Sequence, residues 1–236
     1  MAPELSTRSS RIVAARRADA ARQSAEGLAL LATIVALMWF IEVINSLDAN
    51  ALTNDAGIMP RNADHVWAIF TSPFLHASFQ HLIDNTIPFV FMGVIIALRG
   101  ARRLALVTLI VIVVGGLGTW LIAPAGTNTI GASGVVFGYA TYLFARGVFD
   151  RSALEILTGV IVGVVWGGAL LSSVVPHAGV SWQAHVCGAI GGVVAAWVLA
   201  GRQSGRTPGS RPPGDGKRQP PAHRPLHDSL DRALTQ

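Results

Sequence analysis

Six blocks of apolar residues constrain this chain more than anything else in it: Leu28–Leu47, Leu82–Leu98, Leu104–Ala123, Ser133–Ala145, Leu154–Val174 and Ala184–Ala200. A hydrocarbon core of about 30 Å needs roughly 20 residues at 1.5 Å each, so nearly uncharged runs of this kind read as membrane-spanning helices. Backbone groups in lipid must find partners within their own segment, and the alternation of barrel strands is absent, which leaves helices. With 51% hydrophobic and 13% charged residues, the chain is not an ordinary soluble domain. The expected fold class is an all-α polytopic membrane protein. A six-span domain over 28–200 is flanked by a basic tail over 1–27, loose or briefly helical, and by a second basic tail over 201–236. The latter has too few apolar residues to offset its ordering entropy and is expected to be disordered.

Positive charge sets the orientation. Arginines cluster before the first block, in the link after the second (Arg99, Arg102, Arg103), in the link after the fourth (Arg146, Arg151), and beyond the sixth. These are alternate connections, and Arg61 is the lone basic residue on the others. Short Lys/Arg-rich loops stay cytoplasmic, so both termini are expected in the cytoplasm, and seventeen arginines against the single Lys217 suggest a GC-rich genome and with it a bacterial plasma membrane. The high pI therefore reports topology and contact with anionic lipid, not nucleic acid. Cys187 is the sole cysteine, which excludes an intrachain disulfide and a cysteine metal cluster. The first block exceeds a typical signal-peptide core and is read as a retained anchor. Glu42 within it should face other helices as a packing residue. Residues 48–75 form a long outer loop whose Trp67, Phe70, Phe74 and Leu75 suit the membrane interface.

Polar residues able to do chemistry gather at the outer ends. His81 and Asn85 are four apart on the second block and share a helix face. His76 and His81 are five apart, HExxH is missing and no third ligand is evident, so no metal is expected. Ser133 opens the short fourth block, about 20 Å before Arg146 at helical rise, which places it beneath the outer surface on a central helix. Its preceding loop, 124–130, must dip into the membrane, which only a protein-enclosed or wet cavity tolerates. Gly134 and Gly138 form one GxxxG pair, Gly188 and Gly192 another, and such pairs let helix backbones approach closely. Packing those faces together would bring His185, one turn before Gly188, to the Ser133 hydroxyl, a nucleophile and its base.

Three elements together, His76-x4-His81-x3-Asn85, Gly131-x-Ser133-Gly134 and Ala184-His185-x2-Gly188-x3-Gly192, resemble the rhomboid family of intramembrane serine proteases over residues of about 67–197. The resemblance implies a six-helix bundle with a short central fourth helix, a Ser133–His185 dyad without an acid, and no cofactor. It further implies an oxyanion site of the Ser133 N–H, His81 and Asn85, worth roughly 3–4 kcal/mol per donor in other hydrolases. His76 matches the family's structural histidine, Gly131 helps shape the loop, and Phe137 stands where a tyrosine often meets the catalytic imidazole. Many members carry Trp-Arg in the first outer loop, whereas Trp67 is here followed by Ala68. Expected partners are membrane lipid and single-span transmembrane proteins, cut where small or helix-breaking residues let the helix unwind near the outer face. Ser72, Gln80 and Gln183 are candidates to line the water entrance. The competing readings are an inactive relative that binds transmembrane helices as a chaperone or adaptor, and a small transporter or channel subunit. Intact Ser133 and His185 count against the former, and polar residues confined to the outer ends against the latter.

Overall fold

The computed structural model describes residues 2–150, 153–173, 175 and 179–200. The expectation of a disordered tail over 201–236 lies outside the described residues. Eight α-helices occur among those described: α1 (Ala2–Leu47), α2 (Ala51–Asp55), α3 (Ala68–Thr71), α4 (Phe79–Ala97), α5 (Ala101–Ile122), α6 (Ser133–Asp150), α7 (Ala153–Ser172) and α8 (Trp182–Leu199). The protein is a polytopic helical membrane fold. Four helices are long and apolar enough to cross a bilayer, namely α1 from Ser10 onward, α4, α5 and α8, and α7 holds a shorter apolar stretch, Ile156–Gly168.

The apolar blocks beyond the first predict helix ends to within a few residues, except in the fourth. There α6 continues past Ala145 to Asp150, because Arg146 does not end the helix but lies within it, 3% exposed. Depth counted from Arg146 as the cytoplasmic edge therefore does not hold. At 18 residues α6 is as long as α8. It is nonetheless central, packing against α4, α5, α7 and α8, with residues 135–140 all buried. A helix enclosed by its neighbours can carry Tyr139, Tyr142 and Arg146, which a lipid-facing helix could not hold cheaply.

Residues 2–27 also depart from a loose tail, since they extend the first spanning helix without a break. Arg22 and Glu26 pair at 2.9 Å one turn apart, and Ser24 donates to the Leu98 carbonyl at 2.9 Å. A Cβ on Gly27 would overlap the Ala97 carbonyl, so this part of α1 docks against the α4–α5 turn.

Three helices meet over glycine. A Cβ on Gly188 would overlap the Gly134 carbonyl, one on Gly192 would overlap the Gly138 carbonyl, and one on Gly115 would lie 3.1 Å from the Gly188 Cα. Backbone thus lies on backbone where α5, α6 and α8 cross, which in lipid substitutes for the missing hydrophobic drive.

The long connection between α1 and α4 is folded throughout. Arg61, with φ +60°, donates from Nη1 to the carbonyls of Leu121 (3.0 Å) and Ala123 (2.7 Å). These carbonyls end α5, where a cation also meets the negative end of the helix dipole. Trp120 returns a bond from Nε1 to the Asn62 carbonyl at 3.0 Å. Loop anchoring, which Ala68 left open in the sequence, is supplied by Arg61. Trp67 and Phe70 stay about half exposed, as interface residues would, while Ala68 is fully buried. His65 is half-buried in this loop, its Nδ1 3.1 Å from Asn62 Nδ2.

Candidate active site

The N-terminal ends of α4, α6 and α8 share one end of the bundle, and each delivers one part of the site. Ser78 begins α4 by accepting from the His81 N–H at 3.2 Å, and Ser181 begins α8 by accepting from the Ala184 N–H at 3.4 Å. Serine caps satisfy backbone donors that a helix start leaves unpaired, and they fix where the next residues point. His81 and His185 therefore sit in the first turn of rigid helices.

Ser133 Oγ lies 2.9 Å from His185 Nε2. The other ring nitrogen, Nδ1, lies 2.8 Å from the Ser173 carbonyl oxygen, which can only accept. Nδ1 thus carries the proton and Nε2 presents its lone pair to the serine. The Phe137 ring stacks on the imidazole, with centroids 4.4 Å apart and planes within 8°. His185 is 5% exposed, so a base held on three sides faces one hydroxyl.

Across the cavity, His81 accepts from the Ala77 N–H at Nδ1 (3.4 Å), which leaves its Nε2–H as donor. That nitrogen faces Gly131, where a Cβ would stand 3.0 Å from it and 3.5 Å from Asn85 Nδ2. Gly131 has φ +109°, and both the backbone sign and the crowding require glycine. Asn85 is 6% exposed, and its Nδ2 has no hydrogen-bond partner among the described residues, which leaves a buried donor for an acceptor. Ser133 heads α6, where the first N–H groups are free and the helix dipole is positive. These groups line a cavity of about 530 Å³ with Pro88, Trp166 and Ser173.

The loop before Ser133 is braced from the α1–α4 connection. Ile58 and Thr129 exchange backbone bonds of 2.9 and 3.0 Å, Ser72 Oγ donates to the Thr129 carbonyl, and the Gly131 N–H donates to the Ser72 carbonyl. The Ala132 N–H reaches His76 Nε2 at 3.4 Å. His76 is fully buried, and burial first, then the neighbouring His81, push its pKa down to about 4, against a smaller pull from the Phe74 backbone. A neutral His76 is what an acceptor for the Ala132 N–H requires. Behind it, Asn45 of α1 donates to Thr53 Oγ1 (2.6 Å) and the His76 carbonyl (3.3 Å), while the Thr53 N–H donates back to Asn45 Oδ1. Glu42, one turn earlier, is 1% exposed and faces protein, as a packing role requires.

The residues expected at the water entrance separate. Ser72 is 3% exposed and holds the loop, and Gln80 turns outward to donate to Asp84 Oδ1 at 2.9 Å. Gln183 lines a second cavity of about 550 Å³, beside Ser181, Thr127 and Asn128. The Ser173 carbonyl could not be found in the sequence, since any residue supplies one. Asn45, Thr53 and Arg61 carried no local signal either, whereas the caps Ser78 and Ser181 went unread although residue type and position ahead of an apolar helix could have pointed to them.

Residues 63–202 match the family description "Rhomboid domain". An uncharacterized protein of Mycobacterium tuberculosis is 41% identical over 176 residues, covering 71% of this chain and 73% of that one. One of Mycobacterium leprae is 43% identical over 177 residues, covering 71% and 69%. A Bacillus subtilis protein, provisionally named a rhomboid protease, is 28% identical over 144 residues, covering 59% and 70%. With the family match spanning more than half its length, this integral membrane protein belongs to the rhomboid family.

Proposed function

We propose that the protein is an intramembrane serine endopeptidase that cuts single-span transmembrane proteins near the extracytoplasmic face of a bacterial plasma membrane, with both termini in the cytoplasm. The observation that carries this reading is the 2.9 Å contact between Ser133 Oγ and His185 Nε2, in the tautomer set by the Ser173 carbonyl. Ser133 attacks the scissile carbonyl while its proton passes to His185 Nε2, and the Nδ1–H bond to Ser173 steadies the imidazolium, the place an acid fills in triads. Negative charge developing on the substrate oxygen is met by the Ser133 N–H, His81 Nε2–H and Asn85 Nδ2. His185 then protonates the leaving amine, and a water activated by the same nitrogen releases the acyl group from Ser133.

A peptide bond inside a membrane helix is shielded by its own hydrogen bonds, so the substrate must unwind before the carbonyl can enter the cavity. Small or helix-breaking residues near the outer face lower that cost. The test is cleavage of a model single-span protein in liposomes by the wild type, Ser133→Ala and His185→Ala. The wild type should yield one new N-terminus within the span, with both variants at least about a thousandfold slower. Binding of the span without cleavage by the wild type would instead make the protein a helix-binding adaptor.

A further inference from the structure

The wall of the cavity that α4 provides is built on one helical face, His81, Asp84, Asn85 and Pro88, at spacings of three and four. Three of these suit a site that stabilises an oxyanion or shapes its rim. Asp84 does not, because a carboxylate beside the donors repels the negative charge that develops there. Asp84 is held in place, since Gln80 donates to Oδ1 at 2.9 Å and leaves Oδ2 free of that bond. Among the described residues no Lys or Arg pairs with Asp84, and none lines the cavity. A negative charge on the exposed rim of the cavity, with no cation supplied by the described residues, is complementary to a cation brought by whatever binds.

We propose that Asp84 is a specificity-determining residue that selects transmembrane substrates carrying a lysine or arginine close to the scissile bond; this rests on the protease reading above. The cation pairs with Oδ2, and it removes the repulsion just as the oxyanion forms. Its effect therefore falls on kcat as well as on binding. Lysine and arginine stems are long enough to lie along the apolar wall while the charged head reaches toward the wetted end.

The experiment scans three positions on each side of the cleavage site of a model single-span substrate with Gln, Arg and Glu, measuring kcat/KM for wild type, Asp84→Asn and Asp84→Lys. Within each enzyme the readout is the Arg-to-Glu ratio, which is insensitive to how much enzyme folds. At one position or more the wild-type ratio should be at least about tenfold, a common scale for one complementary charge pair. It should collapse to about twofold or less in Asp84→Asn and invert in Asp84→Lys. A wild type that cleaves the Gln substrates with a flat ratio throughout, or a ratio unchanged in Asp84→Asn, overturns this inference and leaves the protease reading standing. A wild type that cleaves none of the substrates and does not react with a phosphonate at Ser133 overturns both.

Discussion

At the scale of single residues, the site is a set of side chains whose protonation is dictated by their backbone partners. His185 and His81 are each fixed in one tautomer by a main-chain group, Ser173 C=O and Ala77 N–H, and the two tautomers are opposite. One ring presents a lone pair to Ser133 and the other an N–H to the place where charge develops. His76 has a different duty, supporting Ala132 as a neutral acceptor inside the protein. Because it takes a proton only near pH 4 when folded and near 6.5 when unfolded, the unfolded state binds more protons between these values. The stability His76 contributes is therefore complete above about pH 6.5 and is lost as pH falls toward 4. Thermal unfolding in detergent should show a wild-type midpoint that drops across this window more steeply than that of His76→Gln, which keeps an acceptor but does not titrate. Parallel curves for the two proteins would mean that His76 is not held neutral.

Helices and loops carry the precision. Gly188 lies so close to Gly134 that any side chain would meet backbone, which cannot give way as a flexible side chain could. Gly188→Ala should cost upwards of about 3 kcal/mol of stability, or force α6 and α8 apart and separate Ser133 from His185. By contrast, a Cβ at Gly163 on α7 has nothing within 4 Å, and Gly163→Ala should raise stability by about 0.5–1 kcal/mol through helix propensity. Thermal midpoints of the two variants check both statements, and equal effects would contradict the packing described. The GxxxG spacing and the share of a face by His81 and Asn85 were legible in the sequence, because helical periodicity turns spacing into direction. What was not legible is whatever depends on long-range backbone placement. The bond from Ser72 to Thr129 and the docking of Arg61 on the end of α5 join residues 57 and 60 positions apart, and the Ser173 carbonyl meets His185 from 12 positions earlier in the chain, with no periodic signal in any of the three. Arg146 misled for a physical reason: a buried arginine enclosed by protein looks, in sequence, like one at a membrane edge.

For the molecule as a whole, the proposed direction rests on the charge pattern of the sequence. Successive antiparallel helices put the starts of α4, α6 and α8 at one end and Arg99, Arg102 and Arg103 at the other. Cysteine mapping tests the side on which the cavity opens, and the protein suits it because Cys187, its sole cysteine, is buried. Thr127→Cys in the α5–α6 loop should react with a membrane-impermeant maleimide on intact cells, and Arg102→Cys only after permeabilisation. The reverse pattern would place the site on the cytoplasmic side. The helical membrane class was plain from composition and run length, while α6 shows why counting spans by hydropathy falls short. A helix shielded by its neighbours is free to be polar.

The central claim is that a buried imidazole activates one serine inside a membrane protein. It is tested most directly by treating the protein in lipid with a fluorophosphonate and locating the adduct by mass spectrometry. The account predicts a single adduct on Ser133, lost in Ser133→Ala and slowed at least about a hundredfold in His185→Ala. An adduct on another residue, or labelling of Ser133 at the same rate without His185, would contradict it.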